Sequence, residues 1–183
     1  MLIEVLKKTD FDIVYTIMEK SFPEDERRTY DEQKELLNNS AYKIYVYRES
    51  ITNQIQAFAA IYELDEIVFI EHLAVNPDCR NGGIGSKFLK TLFSMTNKMI
   101  CLEVELPSNE IAARRIGFYE RTNFFLNEFR YIQPSLSKGR KEVPLYIMTS
   151  GRCVTKEEFE GIKNVLYEKV YMIPTQRWSA FEL

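Results

Sequence analysis

Apolar positions recur along this chain in two rhythms, one of period two and one of helical spacing. Leu2, Ile3, Val5 and Leu6 predict a short first strand. Residues 11–20 carry a helical period, and Asp10 stands where an N-cap belongs. Ser21-Phe22-Pro23-Glu24-Asp25 breaks that helix, and residues 30–37 predict a second short one. Residues 43–48, 54–62 and 67–75 predict strands separated by polar turns, which together make an antiparallel meander. Ile84, Phe88, Leu89, Leu92 and Phe93 then share one helical face, and residues 99–106 return as a strand. Strand, crossover helix and strand form a βαβ unit, whose strands are expected to lie parallel and adjacent with a right-handed crossover. Ser108 or Asn109 opens a helix to about Arg121, and residues 124–132 and 144–149 are strands joined by the polar loop 135–142. Phe159, Ile162, Val165, Leu166 and Val170 predict a last helix, opened by a Thr155/Glu158 capping box. The tail 174–183 is expected to be ordered only in part.

Composition narrows the classes. The 183 residues suit one domain with a real core, and neither a linker nor an internal repeat divides them. A 45% hydrophobic content with 12 Phe and 11 Tyr excludes a disordered chain. A net charge of -3 without a long basic run argues against general nucleic-acid binding. Cys79, Cys101 and Cys153 are scattered, and His72 is the only histidine, so a structural zinc site or a disulfide framework is not expected. The amino terminus has no signal-peptide core, and no apolar run approaches the about 18 residues of a membrane helix. A soluble cytoplasmic protein with no membrane partner is expected.

The chemistry is concentrated in Arg80-Asn81-Gly82-Gly83-Ile84-Gly85-Ser86. It joins an apolar strand to a helix, and a glycine-rich turn there offers bare N–H groups at a positive helix end to phosphate oxygens. A Walker A loop would need Gly-Lys-Ser/Thr, but the order here is Gly85-Ser86-Lys87. A dinucleotide fingerprint would place its third glycine at Phe88. What remains is R-x-x-G-x-G, with Arg80 at the loop mouth.

These residues resemble the GNAT (GCN5-related) N-acetyltransferases. The strand Phe69 through Val75 and the run Asn-Pro-Asp-Cys-Arg80-Asn-Gly-Gly-Ile-Gly85 match the family's acetyl-CoA motif at every defined position. Phe118-Tyr119 through Asn123-Phe124 resembles its F-Y-x-x-x-G-F motif, with Asn123 where glycine is usual. Asn tolerates a left-handed backbone. The resemblance implies an α/β (α+β) fold: a mixed, mostly antiparallel sheet of about seven strands flanked by helices, with a central parallel βαβ unit carrying the coenzyme A loop. A single domain spans 1–183, with a core over about 1–150 and a C-terminal helix and tail over 151–183.

The resemblance further implies transfer of acetyl from acetyl-CoA to a primary amine of a small molecule or peptide in a ternary complex, without a metal. The alternative is a non-catalytic acyl-CoA-binding or sensing module. Arg80, Asn81, Gly82, Gly83, Ile84, Gly85 and Ser86 would hold the pyrophosphate, and the backbone of Leu73, Ala74 and Val75 the pantetheine arm. Tyr119 matches the general acid, a phenol of pKa about 10 facing a thiolate of pKa about 8.5. Where the family often has Asn on the following helix this chain has Ala112, so Asn109 or Arg115 is expected to touch the cofactor. Glu71 is the leading base candidate, because a carboxylate inside an apolar strand is costly unless paired or used. Strand alternation sets Glu71, Leu73 and Val75 opposite His72 and Ala74. Glu103, Glu105 or a water chain are rivals for the base, and Arg114, Arg115 or Arg130 are candidate ion-pair partners for any of these carboxylates. Phe22, Arg27, Tyr30 and Glu103 are expected to meet the acceptor. The protein is expected to be a monomer or homodimer.

Overall fold

The meander forms as its alternation predicts: β2 (Tyr42–Arg48), β3 (Ile55–Glu63) and β4 (Ile67–Val75) pair antiparallel in succession, and β1 (Ile3–Val5) joins the outer side of β2. The computed structural model describes residues 1–80 and 82–173, so the tail 174–183 lies outside the described residues. Two compact units divide the chain after Ile100.

The first unit packs α1 (Phe11–Ser21), α2 (Tyr30–Glu35) and α3 (Ile84–Phe93) with β1 to β4. Phe11, Val14 and Met18 of α1, Phe58 of β3, Phe69 of β4 and Phe88 of α3 are essentially inaccessible to solvent. Small residues Ala57, Ala59 and Ala60 in β3 let neighbouring side chains approach the sheet closely. Asp10 precedes α1 as expected, but its carboxylate makes no cap: Arg48 draws it away, with Nη2 at 2.5 Å, while Arg48 Nε binds Glu4 at 2.8 Å. A doubly engaged guanidinium is the stronger competitor for that carboxylate. The second helix is shorter than its periodicity suggests, because residues Leu36–Asn38 tighten into a 3-10 turn.

In the second unit β7 (Val143–Ser150) pairs antiparallel with both β5 (Met99–Glu105) and β6 (Phe124–Gln133). Helices α4 (Glu110–Glu120) and α5 (Lys156–Val165) complete it, and α5 runs on into a π turn, Leu166–Val170. Asn109 Oδ1 caps α4, and the Thr155/Glu158 capping box opens α5. Asn123 takes φ 70, the left-handed conformation expected where glycine is usual. The seven strands, mostly antiparallel and flanked by helices, make the mixed α/β fold that the resemblance implies. Among the described residues no helix is long and apolar enough to cross a membrane.

Candidate active site

The glycine loop is built step by step from the end of β4. Asn76 Oδ1 accepts the N–H of Asp78 and folds Pro77–Cys79 into a single 3-10 turn. Arg80 follows in extended conformation, exposed, with its Nε 3.4 Å from the Val75 carbonyl. Asn81 lies outside the described residues. Gly83 then adopts φ 70, and its carbonyl accepts the Lys87 N–H at 3.2 Å to start α3. A Cβ on Gly83 would meet nothing within 4 Å, so backbone angle and not crowding requires glycine there.

No side chain caps α3, and its first turn has no acidic residue. By contrast Thr29, Asn109 and Thr155 cap α2, α4 and α5. The first N–H groups of α3, those of Ile84, Gly85 and Ser86, therefore stand uncapped at the positive end of the helix dipole with Arg80 ahead of them in sequence. These residues fit a pyrophosphate: donors, positive potential and an open backbone.

Glu71 sits where β4 departs from regular pairing. Ala60 pairs with His72 and Ile61 with Ile70, so Glu71 has no partner in β3 and forms a bulge. The bulge overturns the alternation expected from sequence. Glu71 and His72 do not point apart: His72 Nδ1 lies 3.4 Å from Glu71 Oε2. Glu71 receives Arg28 Nη1 on Oε1, and Gln33 Nε2 lies 3.5 Å from Oε2. Burial alone would raise its pKa, but the Arg28 guanidinium and the His72 ring outweigh it and hold the carboxyl at about 2. Its side chain is only 3% exposed although the residue as a whole is half-buried, so main chain is what reaches the surface there.

The segment expected to meet the acceptor docks on the same two residues. Phe22 sets its ring edge-on to His72 at 4.7 Å, and His72 Nε2 meets the Glu26 carbonyl at 2.8 Å. Arg27 Nη1 reaches Tyr15 Oη at 3.1 Å, and Tyr15 donates to the Arg28 carbonyl at 3.0 Å. Tyr30 stands edge-on to Phe11 and Tyr15 and donates to Asp12. Phe22 thus meets His72, the neighbour of Glu71, while Arg27 and Tyr30 share the partner Tyr15.

In the second unit Tyr119 packs edge-on between Phe118 and Phe124, at 5.2 and 5.6 Å. Burial pushes its hydroxyl up to about 12, with the Arg115 charge offsetting part of the rise. Glu105 pairs with Arg115 at 2.7 Å, one of the expected partnerships. Glu103 accepts the hydroxyls of Tyr131 and Tyr171, the latter at 2.6 Å. Asn109 spends its Oδ1 on the α4 cap.

A model of the Acetyltransferase (GNAT) family matches residues 11–124, which include the glycine loop, Glu71 and Tyr119. The chain belongs to the GNAT acetyltransferase family. As a GNAT protein it is an acyltransferase, and its relatives agree. It is 27% identical over 168 residues to YjbC of Bacillus subtilis (strain 168), named as an inferred acetyltransferase; the match covers 90% of this chain and 84% of that protein. A GNAT-family protein of Bacteroides thetaiotaomicron superposes with a TM-score of 0.86 at 30% identity, covering 95% of this chain and all of that one. A spermidine N-acetyltransferase of Vibrio cholerae, solved with CoA and spermine, shares the fold at a TM-score of 0.58 and 15% identity, over 81% of this chain and 93% of that one.

Within this GNAT chain, sequence reasoning missed the true partner of Glu71. The candidates were Arg114, Arg115 and Arg130, while the structure supplies Arg28, 43 positions away. The signal was only that a carboxylate in an apolar strand needs a cation, not which cation. The phenols of Tyr131 and Tyr171 on Glu103 were likewise without a sequence signal.

Proposed function

We propose that this chain transfers acetyl from acetyl-CoA to a primary amine of a small molecule or peptide, directly in a ternary complex. The observation that carries the reading is the uncapped start of α3 behind Arg80, with Gly83 in the left-handed conformation. In this reading the N–H groups from Asn81 to Ser86 and the Arg80 guanidinium bind the pyrophosphate. The backbone of Leu73, Ala74 and Val75 takes the pantetheine arm as an added strand, and Asn109 contributes from the head of α4.

The amine nitrogen attacks the thioester carbonyl carbon, the C–S bond breaks, and the Tyr119 hydroxyl gives its proton to the leaving sulfur. The amine proton leaves to water, and Tyr119 regains a proton from water to close the cycle. We assign the amine proton to water because each candidate carboxylate is engaged: Glu71 by Arg28, Glu103 by two phenols and Glu105 by Arg115. A carboxyl held at about 2 accepts a proton poorly near neutrality, so Glu71 orients rather than abstracts. Phe22, Arg27 and Tyr30 face the acceptor.

Family relatives that act on amines support the acceptor class: one fold neighbour is a spermidine N-acetyltransferase and another a ribosomal-protein-alanine N-acetyltransferase. The family match runs across the boundary between the two units, which supports a single catalytic domain. The three free thiols suit a cytoplasmic setting.

The test is thiol release from acetyl-CoA across a panel of polyamines, amino acids and peptides. Amine-dependent release is expected. Tight coenzyme binding with no turnover on any amine would favour the non-catalytic acyl-CoA-binding module, and stabilisation by ATP or NAD but not by CoA would overturn the reading.

A further inference from the structure

We propose that Arg28 is a positioning residue for the acetyl carbonyl, acting through Glu71. The inference rests on the reading that acetyl-CoA lies along β4. Its basis is the way one short segment grips two consecutive residues of that strand.

Three contacts join residues 22–28 to Glu71-His72. The Phe22 ring meets the His72 ring edge-on, the Glu26 carbonyl accepts a hydrogen bond from His72 Nε2–H, and the Arg28 guanidinium binds the Glu71 carboxylate. All the side chains at the ion pair are nearly inaccessible, 9% exposed for Arg28 and 3% for Glu71. Tyr15 fixes the backbone of Arg28 from α1, and Gln33 reaches Glu71 from α2 while donating to Tyr42 at 2.6 Å. Arg28 is therefore held at its backbone by Tyr15 and at its guanidinium by Glu71.

What it holds is the bulge. Without a partner in β3, the Glu71 peptide is set on that side by local backbone angles and not by the ladder. At Glu71 the side chain is anchored and the main chain is exposed. Anchoring the carboxylate fixes the rotation of the Glu71 peptide and of the residues that follow it toward Leu73. The family resemblance implies that a backbone N–H of that stretch, near Leu73, polarises the thioester carbonyl. Preorganised N–H donors stabilise an oxyanion because they need not reorient during reaction. The segment on the acceptor side and the backbone on the acetyl side are thus one rigid piece, with Arg28 as the joint.

The consequence is measurable without knowing the acceptor. Acetyl-CoA carries the acetyl group and CoA does not, so the change between variants in the ratio of their affinities, in amine-free buffer, reports on the surroundings of the acetyl carbonyl. Isothermal titration of Arg28→Met is expected to lower that ratio by about fivefold, the worth of one net hydrogen bond, with CoA affinity unchanged. Arg28→Lys, which keeps the cation, is expected to restore most of the ratio. Glu71→Gln, which leaves Arg28 in place but removes its charged partner, is expected to lower the ratio too and serves if Arg28→Met does not fold. An unchanged ratio in the folded variant overturns the role of Arg28 while leaving acetyl transfer standing. A wild-type protein that binds neither ligand defeats the acetyl-CoA reading itself.

Discussion

Asn127 Nδ2 donates to Thr149 Oγ1 at 2.9 Å across β6 and β7, with both residues buried. The same amide donates to the Ile147 carbonyl at 3.1 Å, and its Oδ1 accepts the Val154 N–H at 2.9 Å. One side chain thus fills the place where pairing jumps from Asn127↔Ile147 to Tyr131↔Leu145 and ties it to the turn before α5. Removing it takes the acceptor from the buried Val154 N–H and a donor from both Thr149 Oγ1 and the Ile147 carbonyl. Asn127→Leu is expected to cost roughly 2–3 kcal/mol, read as a lower midpoint in chemical denaturation without loss of the isolated loop chemistry of β4 and α3.

Part of the acid sensitivity should be traceable to Glu71, alongside Glu158, which its hydrogen bond from Arg152 also holds at about 2. The pKa of Glu71 is held at about 2 in the folded protein against an ordinary 4.5. The folded state therefore binds fewer protons than the unfolded chain between those values. The stability this contributes is present in full above about 4.5 and is lost as pH falls toward 2. Unfolding midpoints followed from pH 6 to pH 2.5 are expected to fall through that window, and Glu71→Gln is expected to flatten the slope. A slope of equal steepness in the variant would assign the acid sensitivity to other carboxylates.

Gly83 separates strain from occlusion. Gly83→Ala puts a Cβ into open space but at φ 70, so it is expected to cost about 1–2 kcal/mol of stability. Gly83→Asp adds charge beside the uncapped N–H groups and is expected to abolish CoA binding, measured by titration, well beyond its effect on melting temperature. Equal CoA affinity in Gly83→Asp and wild type would remove the loop from the pyrophosphate site.

Tyr119→Phe keeps the ring packing against Phe118 and Phe124 and deletes only the hydroxyl. Turnover is expected to fall by about a hundredfold or more, with CoA affinity intact. Because burial raises the hydroxyl to about 12, Tyr119 keeps its proton throughout the working range. The rate should rise with pH as the acceptor amine deprotonates, with no falling limb before pH approaches 12. A descending limb near pH 9 would point to an acid other than Tyr119.

Local signals carried most of the fold. The bounds of β4 follow from its apolar run, the start of α3 from the glycine turn, the α5 cap from Thr155 and Glu158, and the left-handed turn from Asn123. What stayed hidden is what depends on distant partners. Asp10 has the right place to cap α1, yet Arg48 takes its carboxylate from a strand far along the chain. The alternation through Glu71 and His72 reads cleanly as two faces, yet pairing with β3 inserts one extra residue and turns both side chains toward the same segment. A period-two pattern cannot announce a bulge, because the bulge exists only in the register with a neighbour. For the same reason the need of Glu71 for a cation was legible and Arg28 was not.

The uncapped head of α3 has a thermodynamic corollary. A side-chain cap contributes about 1 kcal/mol to a helix, and α3 goes without one. At the proposed pyrophosphate site an anion supplied from outside would complete that turn, so part of the affinity for the donor would be stability that the fold withholds from itself. Loading with coenzyme should then slow amide exchange at Ile84, Gly85 and Ser86 more than elsewhere in α3, as expected if the donor acts as a folding partner of that helix.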